Sequence, residues 1–417
     1  MTEEILSNRS GMAQINLSKG AMVGLILALL LPWIVVLYLA VHRGPPSVAI
    51  TGVDKLAASS TNREEIFGPW GTLDLVPITL DYPSSHSIYD FDVQPYRQWV
   101  FKESTLESIR QLFDQDGLSE ATRDALLKTA VADARIKGFV IHPPDAVVRA
   151  FSPTVRAALY ADLAKNPENI GPSHPSMFRA DTVGQWFDKS GVPDEIVKKI
   201  EPLVYRRENY LLFADPQLVV PEISSRLERI KLYRALHRTA TFRVHVGVGE
   251  GQTPDQILGY WGHPNRAAEI EPLLTAMTAR RHGLSVMAFL PPFARERLFT
   301  YPKPHQNDDG VGRDCIWASL NFFNEQPDDH IAEKMDRMMA QDYEPIKSPA
   351  QLGDLVLMFN GEKLVHSCVY IAGDVVFTKN GVGTGDPFVL EKMDDVLGRY
   401  RCIFSDIRLG FCRRKGF

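Results

Sequence analysis

Two residues of this chain are of the right types, in the right local settings, for joint nucleophilic chemistry. In Arg313-Asp314-Cys315-Ile316-Trp317-Ala318 a cysteine opens a predicted helix. There it meets the positive end of the helix dipole, which favours thiolate. In His366-Ser367-Cys368-Val369-Tyr370-Ile371 an imidazole opens a predicted strand. An imidazole beside a thiol takes its proton and leaves a nucleophile. A third polar group must then hold the ring. The next strand, Val375-Val376-Phe377-Thr378, offers Asn380 just beyond its end as first choice and Thr378 as second. Lys379 lies between them but is excluded, because an ammonium only donates and the ring N–H needs an acceptor. The competing reading is structural. A lone cysteine on an apolar helix is most often a small buried hydrophobe, and a histidine at a strand start is often simply packed.

The elements that must position these side chains can be read from the same stretch. Gly353-Asp354-Leu355-Val356-Leu357-Met358 is a turn followed by an apolar strand, and short strands continue to about residue 380. Residues 298–417 are therefore expected to form a separate unit, helix first and antiparallel sheet after. Trp317, Phe322 and Phe323 are assigned to its core, and Cys368 to a buried strand position. A zinc site built from Cys315, Cys368, His366 and His305 is rejected, since the spacings match no ligand pattern.

Asp314-Cys315 at a helix start, Gly353-Asp354 opening a strand, and His366 before an apolar-Tyr run occur here in that order. Together they resemble the NlpC/P60 superfamily of papain-like cysteine peptidases and amidases, which includes the CHAP domains. The resemblance covers residues 298–417, under a third of the chain. It implies a papain-like fold in which Cys315 attacks an amide carbonyl. His366 would act as base and then acid, Asn380 would orient it, and the Cys315 N–H with Tyr301 would hold the oxyanion. The implied substrate is a peptide, with the peptidoglycan stem peptide of the cell wall foremost. No cofactor and no metal are implied. The sequence departs from the family at Ile316-Trp317, where a small pair is usual and which is closer to the Cys-x-Trp of CHAP members. It also departs at the Val375–Thr378 strand, which lacks the usual polar residue. The alternative is a catalytically inactive NlpC/P60-like binding or scaffold protein in a membrane assembly.

Composition bounds the remainder. The chain has 417 residues, 45% of them hydrophobic and 23% charged, which indicates globular protein in more than one domain. A net charge of −5 gives no electrostatic reason to expect nucleic acid as partner. Four cysteines are not a disulfide scaffold, and Cys402 with Cys412 is the easiest pair to imagine.

Taken in order, residues 1–20 are a polar tail. Ala21 to Val41 carries no charge and is long enough for a single transmembrane helix in contact with lipid. A cleaved signal peptide fits less well, because no small-x-small site follows. Arg9 and Lys19 before the span balance Arg43 and Lys55 after it, so charge does not orient it. A hydrolase of wall peptides would place the C-terminal part outside the cytoplasm. Residues 42–100 read as a linker with extended pieces.

Residues 101–297 read as a mainly helical domain with a small β element, open to a protein partner. Its helices start at Ser119, Ser152-Pro153, Pro193-Asp194 and Pro221-Glu222, the last running through Leu236. The β element is 241–248, with Phe242, Val244, Val246 and Val248 on one face. Gly247-Val248-Gly249-Glu250-Gly251 lacks the Lys-Ser/Thr of a phosphate loop, and Thr253-Pro254 reads as a plain helix cap. The expected fold class is thus α+β: transmembrane helix, mainly helical middle, papain-like C-terminal domain.

Overall fold

The strands around His366 are apolar on both faces, and the fold covers both. The computed structural model describes residues 63–86, 97–280, 283–303, 309–349, 351–404 and 406–416. In it β11 (Tyr343–Ile346), β12 (Leu355–Asn360), β13 (Lys363–Ala372), β14 (Val375–Lys379), β15 (Phe388–Lys392) and β16 (Ile407–Arg414) form one antiparallel sheet. Its order is β11-β16-β12-β13-β14-β15. Leu355, Leu357, Val369, Ile371, Val375 and Phe377 pack on one side, against the Cys315–Leu320 helix and Phe322. Val356, Met358, Cys368, Tyr370 and Val376 pack on the other, against Val396, Leu397 and Tyr400 of the Met393–Arg401 helix. A strand buried on both faces reads as a continuous apolar run, as β12 and β14 do.

The Gly353-Asp354 turn has a structural task on each residue. Gly353 has φ +98°, and a Cβ there would lie 2.3 Å from the Phe323 ring, so a glycine is required. Asp354 is buried and accepts two hydrogen bonds from Arg413, each 2.7 Å, which clamps the start of β12 to β16.

A second sheet combines distant segments. β1 (Glu64–Gly68) and β2 (Gly71–Leu80) form a hairpin, and β2 pairs with β9 (Thr239–Gly247), which pairs in turn with β10 (Leu284–Ser285). The extended pieces expected within the 42–100 linker are, over residues 64–80, two paired strands built into a sheet. Their inward residues Leu73 and Leu75 face Val246 and Val244 across the β2–β9 register. Phe242, Val244 and Val246 are buried as their alternation predicts, whereas Val248 lies past the strand end and is exposed. This sheet shares one core with the C-terminal sheet. Trp261, Phe289, Phe293 and Trp317 belong to it, so no core boundary falls at residue 298. The Thr241 hydroxyl donates to the Leu390 carbonyl at 2.7 Å and accepts from the Leu390 amide at 3.2 Å, joining β9 to β15.

Between β2 and β9 lies a separate core around Trp99, Tyr160, Trp186 and Tyr210. The helices start where the caps are. Ser119 accepts from the Thr122 amide, and Ser152 from the Val155 amide with Pro153 at the first helical position. The expected long helix from Pro221 begins later. Val220–Glu222 is a single 3-10 turn, and the helix proper is Arg226–Leu236, capped by Ser225. Its buried face is Leu232, Ala235 and Leu236, and Leu227 is exposed. This region is less purely helical than its periodicity suggests. It contains two three-stranded antiparallel sheets, ordered β3-β5-β4 and β6-β8-β7. The first is made of β3 (Trp99–Phe101), β4 (Ala130–Asp133) and β5 (Gly138–Ile141). The second is made of β6 (Ser176–Arg179), β7 (Tyr205–Arg207) and β8 (Tyr210–Phe213).

The fold is α+β, but the membrane part of the expected architecture is corrected. Among the described residues no helix is long and apolar enough to cross a membrane. The longest, Ala267–Arg280, has 14 residues with Pro272 inside it, and about 20 apolar residues are needed to span a bilayer. Ala21–Val41, which carried the single-pass expectation, lies outside the described residues. The single-pass location and the extracytoplasmic C-terminal part are not carried further.

Candidate functional site

Cys315 is the first residue of its helix, as its sequence setting implies. The residue before it changes the electrostatics. The Asp314 side chain accepts from the amides of Ile316 at 2.9 Å and Trp317 at 3.0 Å, so a carboxylate occupies the helix terminus that would otherwise favour a thiolate. Cys315 is buried, 7% exposed. Burial first, and the Asp314 charge second, push its thiol up to about 11, against a smaller opposing hydrogen bond from the Ser367 amide.

His366 is fully buried. Its Nε2 lies 2.9 Å from Thr378 Oγ1, and its ring stacks on Tyr400 at 4.4 Å. The direction of that bond follows from the neighbours. Asn380 Nδ2 donates to Glu391 Oε1 at 2.8 Å, so its Oδ1 faces Thr378 and accepts the hydroxyl proton at 3.3 Å. Thr378 must then accept from His366, which carries its proton on Nε2. Nδ1 is buried without a hydrogen-bond partner. Burial first, and the Arg399 charge second, hold the imidazole down to about 3, so it is neutral in ordinary buffers.

The decisive feature is the pleat of β13. Ser367 Oγ lies 2.6 Å from Ser319 Oγ, which puts Ser367 on the face that meets the Cys315 helix. Successive strand residues point to opposite faces. His366 accordingly points the other way, to Tyr400 and the Met393–Arg401 helix. Among the described residues no hydrogen bond joins Cys315 to His366. Thr378 takes the role expected of Asn380, and Asn380 acts one step removed. Tyr301, expected near the oxyanion, instead packs edge-on against Tyr82 at 5.6 Å, with its hydroxyl 3.5 Å from the Leu80 carbonyl. It lies there because Phe299 and Thr300 pair with Phe388 of β15.

Lys379, excluded above as a ring holder, is the charged residue of β14 on the Cys315 side. It is fully buried and donates to the carbonyls of Gly381 and Gly383. Burial lowers its pKa, and the nearby charges of Asp386, Cys315 and Asp314 oppose that shift. The signal in the sequence was alternation: if Thr378 faces the histidine, Lys379 faces the cysteine.

The four cysteines are free thiols, so Cys402 and Cys412 are not paired; Cys402 Sγ lies 3.3 Å from the Arg207 carbonyl. Among the described residues no group of three or more His, Cys, Asp or Glu is placed to hold a metal ion, and His305 lies outside them. None of the family models, curated proteins or solved structures compared with the chain matches it.

Proposed function

We propose that the C-terminal sheet and the Cys315 helix are an NlpC/P60-like unit that serves in binding or as a scaffold, without cysteine-based amide hydrolysis. The observation that carries this reading is the placement of His366 on the opposite face of β13 from Ser367 and the Cys315 helix. A thiol needs its base within hydrogen-bond reach. Here both groups are buried and neutral, the thiol pushed up and the imidazole pushed down, and although a charge on Cys315 is felt by Cys368 and Tyr400, no hydrogen bond joins it to the histidine among the described residues. The ordered motifs are then accounted for by packing. Gly353 clears Phe323, Asp354 clamps Arg413, and His366 begins a buried polar strip through Thr378 and Asn380 to Glu391.

The hydrolase reading, with Cys315 acting on a peptide or peptidoglycan stem peptide, makes the opposite demand in one experiment. In the full chain with Cys368, Cys402 and Cys412 replaced by Ser, iodoacetamide labelling of Cys315 is followed against pH. Labelling is expected only in strongly alkaline buffer, above the ordinary thiol value of roughly 8.5. His366→Phe is expected to leave that profile where it is. Fast labelling near neutral pH that is lost in His366→Phe would restore the nucleophile–base pair.

A further inference from the structure

The middle region holds a different kind of polar site, made by residues that belong to no motif. A cavity of about 260 Å³ is lined by Arg97, Trp99, Ile170, Asp215 and Gln217, among others. The Arg97 side chain is only 6% exposed. Its Nε lies 3.3 Å from Asp215 Oδ1, yet its Nη1 and Nη2 are buried without a hydrogen-bond partner. Asp215 is already engaged by other donors. Arg156 Nη1 donates to its Oδ2 and the Tyr160 hydroxyl to its Oδ1. Two more polar groups of the lining are also unpartnered, Trp99 Nε1 and Gln217 Oε1.

Buried donors are paired in the great majority of native structures, and a guanidinium with two idle nitrogens is costly to keep. The charges leave room for one anion. Two buried guanidinium groups, Arg97 and Arg156, share the single buried carboxylate of Asp215. Asp145 stands 3.6 Å from Arg97 Nη1, beyond hydrogen-bond reach, and its side chain is 69% exposed to water. Glu168 at the rim is engaged by Lys102 at 2.7 Å.

We propose that this cavity binds a small organic monocarboxylate, its two oxygens taken by the idle nitrogens of Arg97 and a donor group elsewhere on the molecule taken by Gln217. The guanidinium fork matches a carboxylate in two parallel hydrogen bonds. With Asp145 counted beside Asp215, the surplus of positive charge is at most one, which disfavours a phosphate dianion more than a monoanion. The volume is at the small end of ligand pockets and suits a compact metabolite rather than a peptide.

The test uses the full chain with sodium benzoate, its hydroxy derivatives and inorganic phosphate at matched ionic strength, read by thermal melting. Carboxylates are expected to give a saturable rise in Tm of about 1–3 °C, with phosphate giving none. At least one hydroxy derivative should bind about threefold or more tighter than benzoate. Arg97→Lys keeps the charge but not the fork and should abolish the rise. Gln217→Ala, which leaves every buried ion pair in place, should remove only the preference for the hydroxy derivative. Far-UV circular dichroism of each unliganded variant establishes that it is folded, and Gln217→Ala carries the test alone should Arg97→Lys fail to fold. No saturable rise with any carboxylate, an equal rise with phosphate, or a rise indifferent to both substitutions would overturn the proposal.

Discussion

The strip His366–Thr378–Asn380–Glu391 and the cluster Arg97–Asp215–Arg156 are both buried and polar, and both leave atoms unpartnered, His366 Nδ1 and Glu391 Oε2 in the first and two guanidinium nitrogens of Arg97 in the second; they differ in that only the second lines a cavity. The first runs across the strands β13, β14 and β15 and under a helix, with a stacked tyrosine over its imidazole. The second opens onto a cavity and leaves a guanidinium half used. The strip contains the residues a motif search selects. The cluster contains residues that no motif marks. Residue types that fit a reaction are therefore weaker evidence than buried hydrogen-bonding capacity left unfilled beside a space that a ligand can enter.

Three substitutions sharpen or break this contrast. The largest effect is expected at Asp215. Asp215→Ala strands Arg156, which is fully buried, and leaves Arg97 with only the exposed Asp145 at 3.6 Å among the described carboxylates. A loss of about 3–5 kcal/mol in denaturant unfolding is expected. A loss below about 1 kcal/mol would mean that the cluster is not a buried ion network.

The second effect concerns pH. His366 is held neutral in the fold, its pKa down to about 3, while the unfolded chain binds that proton near 6.5. Between these values the unfolded state carries more protons, so this residue's contribution to stability is present above about pH 6.5 and is lost as the pH falls toward 3. The slope is at most about 1.4 kcal/mol per pH unit. Burial raises the carboxyls of Asp116, Asp374 and Asp395, each to about 6, and these act in the opposite sense. The difference between the native chain and His366→Phe isolates the histidine. The native chain should lose stability relative to His366→Phe as the pH falls from about 6.5 toward 3, because the variant escapes the acid penalty, and a pH-independent difference would remove the neutral buried imidazole from the description.

The smallest effect lies on the cysteine side of the sheet. Ser319 and Ser367 share one hydrogen bond at 2.6 Å between helix and strand. Ser319→Ala and Ser367→Ala should each cost about 1 kcal/mol, and the double variant less than their sum. Strict additivity would show that the two hydroxyls do not meet, and with it that the assignment of strand faces is wrong.

Much of the C-terminal unit was legible. Cys315 begins a helix capped by Asp314, and short apolar strands follow Gly353. The position of His366 was recoverable in principle from the pleat. Cys368 and Tyr370 share its parity, and they face Val396 and Tyr400. Strand position alone does not tell which face meets the helix, since both faces of β13 are apolar beyond His366. The extended character of part of residues 64–80 was legible, but their pairing into a sheet was not, because the partner strand β9 lies more than 150 residues away. The cavity was out of reach for the same reason. Arg156 and Asp215 are 59 residues apart, and only packing brings Arg97 beside them.

The register of β2 with β9 has a further consequence for the history and engineering of the chain. Leu80 and Thr239 are paired neighbours across that register, so the chain leaves the shared sheet and returns to it at almost the same point. Everything between them, including the core around Trp99 and Tyr160, is topologically a guest lodged between two adjacent strands. Guests with neighbouring ends are the ones that transplant. During synthesis the guest emerges before β9, but its core is finished only by Ala240 of β9 and by Cys402, so the inserted body and the host sheet are completed together.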